Sequence, residues 1–107
     1  MIQRQEHVDI AATIRRWTRK ASPNITFGFR FGNGSTHSMR EMDNDSIDFD
    51  DMLHTLRGCR VTDLRLEIGE RRHRAEGRDK DGRDLVFIVV LHEENEEIEI
   101  VTAWAVK

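Results

Sequence analysis

The chain has 107 residues, 37% of them apolar and 35% charged, with a net charge of −3 and one cysteine. That length suits a single domain with a core of its own, and the lone Cys59 excludes an internal disulfide and fits a reducing compartment. No run approaches the roughly 20 apolar residues that cross a bilayer, and the polar opening Met1–His7 lacks the apolar stretch of a signal peptide, so a cytoplasmic protein with no membrane partner is the expectation.

Residues 5–20 predict a helix, because Val8, Ala11, Ile14, Trp17 and Ala21 recur at three-to-four spacing and form one apolar stripe. Arg15, Arg16, Arg19 and Lys20 crowd its C-terminal end, where cations suit the helix dipole. Pro23 stops that helix. Ile25, Phe27, Phe29 and Phe31 then alternate with period two, as in a short strand or extended arm, and Gly32-Asn33-Gly34 is a turn. A short second helix follows Ser35 or Thr36 and carries His37, Met39, Arg40 and Met42. A third starts at Asp48, a good N-cap, with Asp51 placed for a capping box and Ile47 and Met52 for a hydrophobic staple. Phe49, Met52, Leu53 and Leu56 are its expected buried face, and Gly58 closes it.

From there the period changes to two. In residues 61–68, Leu64, Leu66 and Ile68 share one face and Asp63, Arg65 and Glu67 the other. Residues 71–78 form a polar strand, and Asp81-Gly82 marks a tight hairpin. Residues 84–91 are apolar on both faces, which predicts a central strand, with Phe87 and Val89 in the core. After a turn over 93–96, residues 97–106 alternate again, with Ile98, Ile100, Thr102, Trp104 and Val106 expected on one face. The fold class expected is α+β, two to three helices on a mainly antiparallel four-stranded sheet beginning near residue 61. Leu66 and Ile100 complete the expected core.

Charge is unevenly distributed. Residues 1–40 carry seven Lys/Arg against two acids, residues 41–56 six acids and no Lys/Arg, and residues 57–83 nine Lys/Arg against six acids. A polyanion partner is therefore compatible with the negative total, since local fields steer association. The densest polar constellation is the strand 71–78. Period two places Arg72, Arg74, Glu76 and Arg78 on one face and Arg71, His73, Ala75 and Gly77 on the other. Clustered guanidinium groups repel one another unless Glu67 and its neighbours neutralise them or the face takes a phosphate chain, which their planar donors suit; the alternative is an edge strand blunted by charge. His37, at a helix start, is placed to be a general base, because a helix N-terminus favours neutral imidazole; the alternative is a histidine that caps or packs. The sequence has no glycine-rich phosphate loop, no cysteine pair and no His-x-x-x-His, and its histidines lie scattered at 7, 37, 54, 73 and 92. Neither a cofactor nor a metal site is expected.

Residues 37–107 resemble a family of small bacterial domains grouped with the RelE/barnase-like (BECR) toxins. The resemblance rests on His37-Ser38-Met39-Arg40-Glu41-Met42, Ile47–Leu53, Arg72-His73-Arg74-Ala75-Glu76-Gly77, Asp81-Gly82-Arg83 and Val101-Thr102-Ala103-Trp104. The segment Ile47–Leu53 is also similar to a helix of the MqsR-type mRNA interferases. Where the family has Arg-Gly before its Ile, this chain has Asp45-Ser46; where it has an aromatic between two strand arginines, this chain has His73; and there is no tyrosine. The resemblance implies a metal-independent endoribonuclease toxin paired with an antitoxin protein. His37 would be the base, Arg72 and Arg74 the phosphate clamps, His73 or Arg40 the acid or an accessory group, and Thr102 and Trp104 would shape the pocket. Arg15, Arg16, Arg19, Lys20 and Arg78 would add RNA contacts. The alternative is a non-enzymatic protein-binding or regulatory module of the same fold, in which a partner or a homodimer covers the second face of the sheet.

Overall fold

The structure is a computed structural model and describes residues 4–28 and 37–107. Three helices and five strands follow in the order α1 (Arg4–Thr18), β1 (Asn24–Phe27), α2 (His37–Asn44), α3 (Phe49–Arg57), β2 (Arg60–Glu67), β3 (Glu70–Arg78), β4 (Asp84–His92) and β5 (Glu97–Ala105), with a 3-10 turn over Glu93–Asn95. The expected places of Phe29, Phe31 and the Gly32–Gly34 turn lie outside the described residues.

The strands form one sheet in the order β1-β5-β4-β3-β2, so β4 is central, as its two apolar faces require. β2 to β5 are an antiparallel meander, but β1 joins β5 in parallel, making the sheet five-stranded and mixed rather than four-stranded and antiparallel. Four residues suffice for β1 because Ile25 and Phe27 pair in register with Ile98 and Ile100 and add to the same apolar face. Gly28 N–H continues the ladder by donating to Ile100 O at 2.8 Å.

The core lies between that face and the helices. Ala11, Ile14 and Trp17 of α1, Met42 of α2, and Met52 and Leu56 of α3 pack with Val61, Ala75, Leu85, Phe87, Val89, Ile98, Ile100 and Ala103 of the sheet. The capping box of α3 is present: Asp51 N–H donates to Asp48 Oδ1 at 2.7 Å and Asp48 N–H to Asp51 Oδ2 at 3.1 Å. α3 runs close to β3, where Gly77 leaves room: a Cβ there would lie 3.0 Å from Thr55 O. Among the described residues no helix is long and apolar enough to cross a membrane.

Three expectations are corrected. Leu66 is 72% exposed and Phe49 47%, while Leu53 is half-buried. Leu66 sits near the tip of the β2–β3 hairpin, and Phe49 occupies the first position of α3, at the rim of a groove with Phe27, Met39, Met42 and Ile47. Val8 and Ala21, from the stripe read along the first helix, are also exposed; Ala21 lies beyond the end of α1 at Thr18, and α1 buries Thr18 instead. Finally, residues 97–106 do not keep one parity. Val89 pairs with Ile100 but Ile88 with Thr102, so Val101 is an extra residue, a β-bulge. Ile98 and Ile100 face the helices with Ala103, whereas Thr102 and Trp104 turn to the opposite face.

Candidate functional site

The face of the sheet away from the core carries a cavity. It has a volume of about 350 Å³ and is lined by Asp63, Arg65, Glu67, Arg72, Arg74, Ile88, Val101, Thr102 and Trp104. Every lining residue comes from a strand, and the ladder explains their convergence. Asp63 pairs with Arg74, Arg74 with Ile88, and Ile88 with Thr102, one row across β2, β3, β4 and β5. Arg65 pairs with Arg72 in the neighbouring row, and Val86 with Trp104 on the other side. Ile88 therefore forms an apolar floor, arginines and carboxylates one wall, and Thr102 and Trp104 the other.

Two bulges make this possible. Thr62 is an extra residue in β2, between the Val61–Ala75 and Asp63–Arg74 pairs, and it returns Asp63 to the cavity side while Val61 stays in the core. Val101 does the same for Thr102 and Trp104 in β5.

The electrostatics are nearly balanced. Arg72 Nη1 donates to Glu67 Oε2 at 2.8 Å and Arg72 Nη2 lies 4.0 Å from Glu70, while its buried Nε has no partner. Arg74 Nε donates to Glu76 Oε2 at 2.9 Å, and its guanidinium lies 5.5 Å from the centre of the Trp104 ring, a cation–π distance. Arg65 lies 3.5 Å from Asp63. The Thr62 hydroxyl, which donates to Glu76, holds that carboxyl below its ordinary value against the effect of burial, with Arg74 assisting. The cavity thus offers three guanidinium groups, two carboxylates, a hydroxyl and an indole. Planar guanidinium donors are a chemistry that suits anions, and an indole face one that suits flat rings.

Arg72, Arg74, Thr102 and Trp104, singled out in the sequence, meet here. The other candidates do not line this cavity. His73 points into the core side, 4% exposed between Leu64 and Val89, and burial lowers its pKa, with the Arg71 charge acting the same way. His37 begins α2 and is half exposed, 3.9 Å from Glu41; Arg40 is exposed on the same helix. Arg15 donates to Cys59 O at 2.8 Å and Arg19 to Arg57 O at 3.1 Å, tying α1 to the end of α3. Arg16 is exposed, Lys20 pairs with Glu96, and Arg78 lies 3.3 Å from Asp84 at the far end of β3. Burial pushes the Cys59 thiol up to about 11, so it is no nucleophile.

No family model, curated protein or solved structure matches this chain. The site therefore speaks through its own geometry.

Sequence reading missed Asp63, Arg65, Ile88 and Val101 as lining residues, and had Glu67 only as a carboxylate that neutralises the strand arginines, which its 2.8 Å contact with Arg72 bears out. A signal for two of them exists: a two-residue turn at Ile68-Gly69 sets Arg65 opposite Arg72 and Glu67 opposite Glu70. Asp63 and Val101 depend on the bulges, which no local pattern marks.

Proposed function

We propose that this chain binds RNA on the open face of its sheet and cleaves it without a metal, as an endoribonuclease of the toxin type. The observation that supports this reading best is the gathering of Arg65, Arg72, Arg74 and Trp104 around one cavity on the face of the sheet away from the core. Arg72 and Arg74 hold a phosphate, and Trp104 stacks a base beside it. Cleavage by the ribose 2′-hydroxyl needs a base to take its proton. The oxygen then attacks phosphorus, the 5′-oxygen leaves with a proton from an acid, and the products are a 2′,3′-cyclic phosphate and a free 5′-hydroxyl. His37 is the proposed base and Arg40 the acid or accessory group, both brought to the RNA from α2 in addition to the cavity's own residues, and the arginines stabilise the phosphorane charge; His73, buried on the other face of the sheet, has no part in the chemistry. In this role the protein is cytoplasmic and is held in check by an antitoxin protein.

A specific observation favours a second reading, an RNA- or protein-binding module without turnover. No histidine lines the cavity, and each of its arginines already has a carboxylate neighbour. One experiment separates the two. A single-stranded oligoribonucleotide and its 2′-O-methylated copy are incubated with the protein and with His37→Ala. The enzyme reading expects cleavage of the first RNA alone, lost in His37→Ala while binding of the methylated copy persists. Binding of both RNAs with cleavage of neither supports the module instead, and absence of binding to either removes the RNA reading altogether.

A further inference from the structure

The sheet ends on β2, which has a neighbouring strand on one side only. Its hairpin with β3 fixes which backbone groups face outward. The two-residue turn at Ile68-Gly69 makes Glu67 and Glu70 a hydrogen-bonded pair, and in an antiparallel ladder such pairs alternate with non-bonded ones. Glu67 and Arg65 therefore direct their N–H and C=O at β3, whereas those of Leu66 and Leu64 point away from the sheet. Among the described residues, Leu64 N–H donates to Asp63 Oδ1 at 2.9 Å, and no other group reaches this outward edge. Side chains alternate as well. Leu64 and Leu66 lie on the helix side with His73, and Arg65 and Glu67 on the cavity side.

Two observations suit this edge to being covered. Free edges are commonly blunted by a proline or a bulge, yet residues 64–68 contain neither, the Thr62 bulge lying before them. They carry instead Leu66 and Ile68, the two most exposed large apolar side chains among the described residues, at 72% and 88%. Ile68 is also held at φ 52°, a left-handed conformation that strains a β-branched residue and that Asn or Gly would adopt more readily. A strained side chain that faces solvent adds nothing to the packing of the single chain, so its use lies outside it.

We propose that a second copy of this chain covers the edge, pairing antiparallel through β2 about a two-fold axis at Leu66, so that two sheets become one. The order of charges selects both the partner and the register. Along the cavity side β2 reads Asp63, Arg65, Glu67: negative, positive, negative. An axis at Arg65 would set the two arginines against each other and Asp63 against Glu67, which like-charge repulsion opposes. An axis at Leu64 would need the N–H already bonded to Asp63 and would run Leu66 onto the bulged Thr62. An axis at Leu66 sets each Arg65 against the other copy's Glu67, and each Ile68 against the other copy's Leu64. The two Leu66 residues face each other and exchange N–H···O=C bonds. Each Ile68 N–H meets a Leu64 C=O, while Leu64 N–H keeps its bond to Asp63. Arg65 and Glu67 are exposed and free to meet across the seam. The axis stands normal to the sheet, so both cavities open on the same face and neither is covered. The pairing stands apart from the RNA reading.

The test is analytical ultracentrifugation of the full chain from micromolar to millimolar concentration, with thermal melting of every variant. The parent should show a monomer–dimer equilibrium. Arg65→Glu and Glu67→Arg should each dimerise roughly tenfold more weakly or worse, because each sets like charges across the seam. Mixed in equal amounts they should dimerise as the parent does, since the altered positions then face each other with opposite signs, a result no effect within one chain reproduces. Leu66→Lys, at an exposed position on the axis, should abolish the dimer and leave the monomer's Tm unshifted, and it decides the matter should either charge variant fail to fold. A parent that stays monomeric to millimolar concentration would overturn the proposal. So would dimers that survive Leu66→Lys, or a mixture of the two folded charge variants that associates no better than either alone.

Discussion

If a phosphate sits against Arg72, removing the carboxylate that now occupies that guanidinium must tighten RNA binding. Glu67 is that carboxylate, at 2.8 Å from Arg72 Nη1. The Arg72 side chain is 12% exposed and that of Glu67 47%, so the pair is open to water on one side only. An ion pair of this kind contributes about 0.2–1 kcal/mol after solvent screening. A phosphate that displaces Glu67 must first overcome this, and it also meets the carboxylate's repulsion. Glu67→Gln keeps the shape and an acceptor oxygen but removes the charge. The expected gain is about 0.5–1 kcal/mol, or roughly two- to fivefold in Kd. Arg72→Ala is the opposing variant. It removes one phosphate contact, so the slope of log affinity against log salt should fall by about 0.7. The assay is fluorescence anisotropy of a labelled, 2′-O-methylated single-stranded oligonucleotide at several salt concentrations. If Glu67→Gln binds no better than the parent, or worse, the ion pair is structural and Arg72 is not the phosphate seat.

Three further outcomes test the fold. Gly77→Ala puts a Cβ 3.0 Å from Thr55 O and 3.2 Å from Thr55 Cγ2, and the overpacking should cost about 1–3 kcal/mol in urea denaturation; an unchanged midpoint would show that α3 does not press on β3. Ile68 is 88% exposed with φ 52°, a left-handed conformation costly for a β-branched residue. Ile68→Asn, which supplies the Asn-Gly pair such a hairpin turn prefers, should therefore raise Tm by a few degrees, for a gain of about 1 kcal/mol, and a lower Tm would contradict this turn geometry. His73 has its pKa depressed by burial below the ordinary 6.5, so below that pH the unfolded chain takes up protons that the folded one refuses. Its contribution is present above pH 6.5 and is lost as pH falls. His92 runs the other way, because its hydrogen bond to Glu99 raises its pKa, and its contribution is lost as pH rises through that value. His73→Leu should flatten the fall in Tm between about pH 7 and pH 5, and an unaltered fall would place the acid sensitivity elsewhere.

Elements whose causes are local were readable from the sequence. The α3 cap needs only Asp48 and Asp51 three residues apart, and the β3–β4 hairpin needs only Asp81-Gly82 and two strands of matched length. The central place of β4 follows from Leu85 to Val90, apolar on both sides. What escaped depends on distant partners. β1 is a strand of the sheet because the edge of β5 accepts it in parallel, across some seventy residues of chain. The faces of Thr102 and Trp104 depend on the Val101 bulge, and a single extra residue inverts every side chain after it. Leu66 looks like core by alternation, yet it lies on β2, an outer strand of the sheet, close to the hairpin tip. At the site, the alternation of β3 put Arg72 and Arg74 together and His73 on the other side, but it carried no information on the β2 residues that complete the wall.

The most direct test of RNA binding on the open face is a nuclear magnetic resonance titration of the ¹⁵N-labelled protein with the 2′-O-methylated oligonucleotide. The account predicts saturable shifts concentrated at Asp63–Glu67, Arg72, Arg74, Ile88 and Val101–Trp104, together with the Trp104 indole N–H, while the core-facing Trp17 indole stays unmoved. Shifts confined to α1 or α2, or no shifts at low salt, would contradict it.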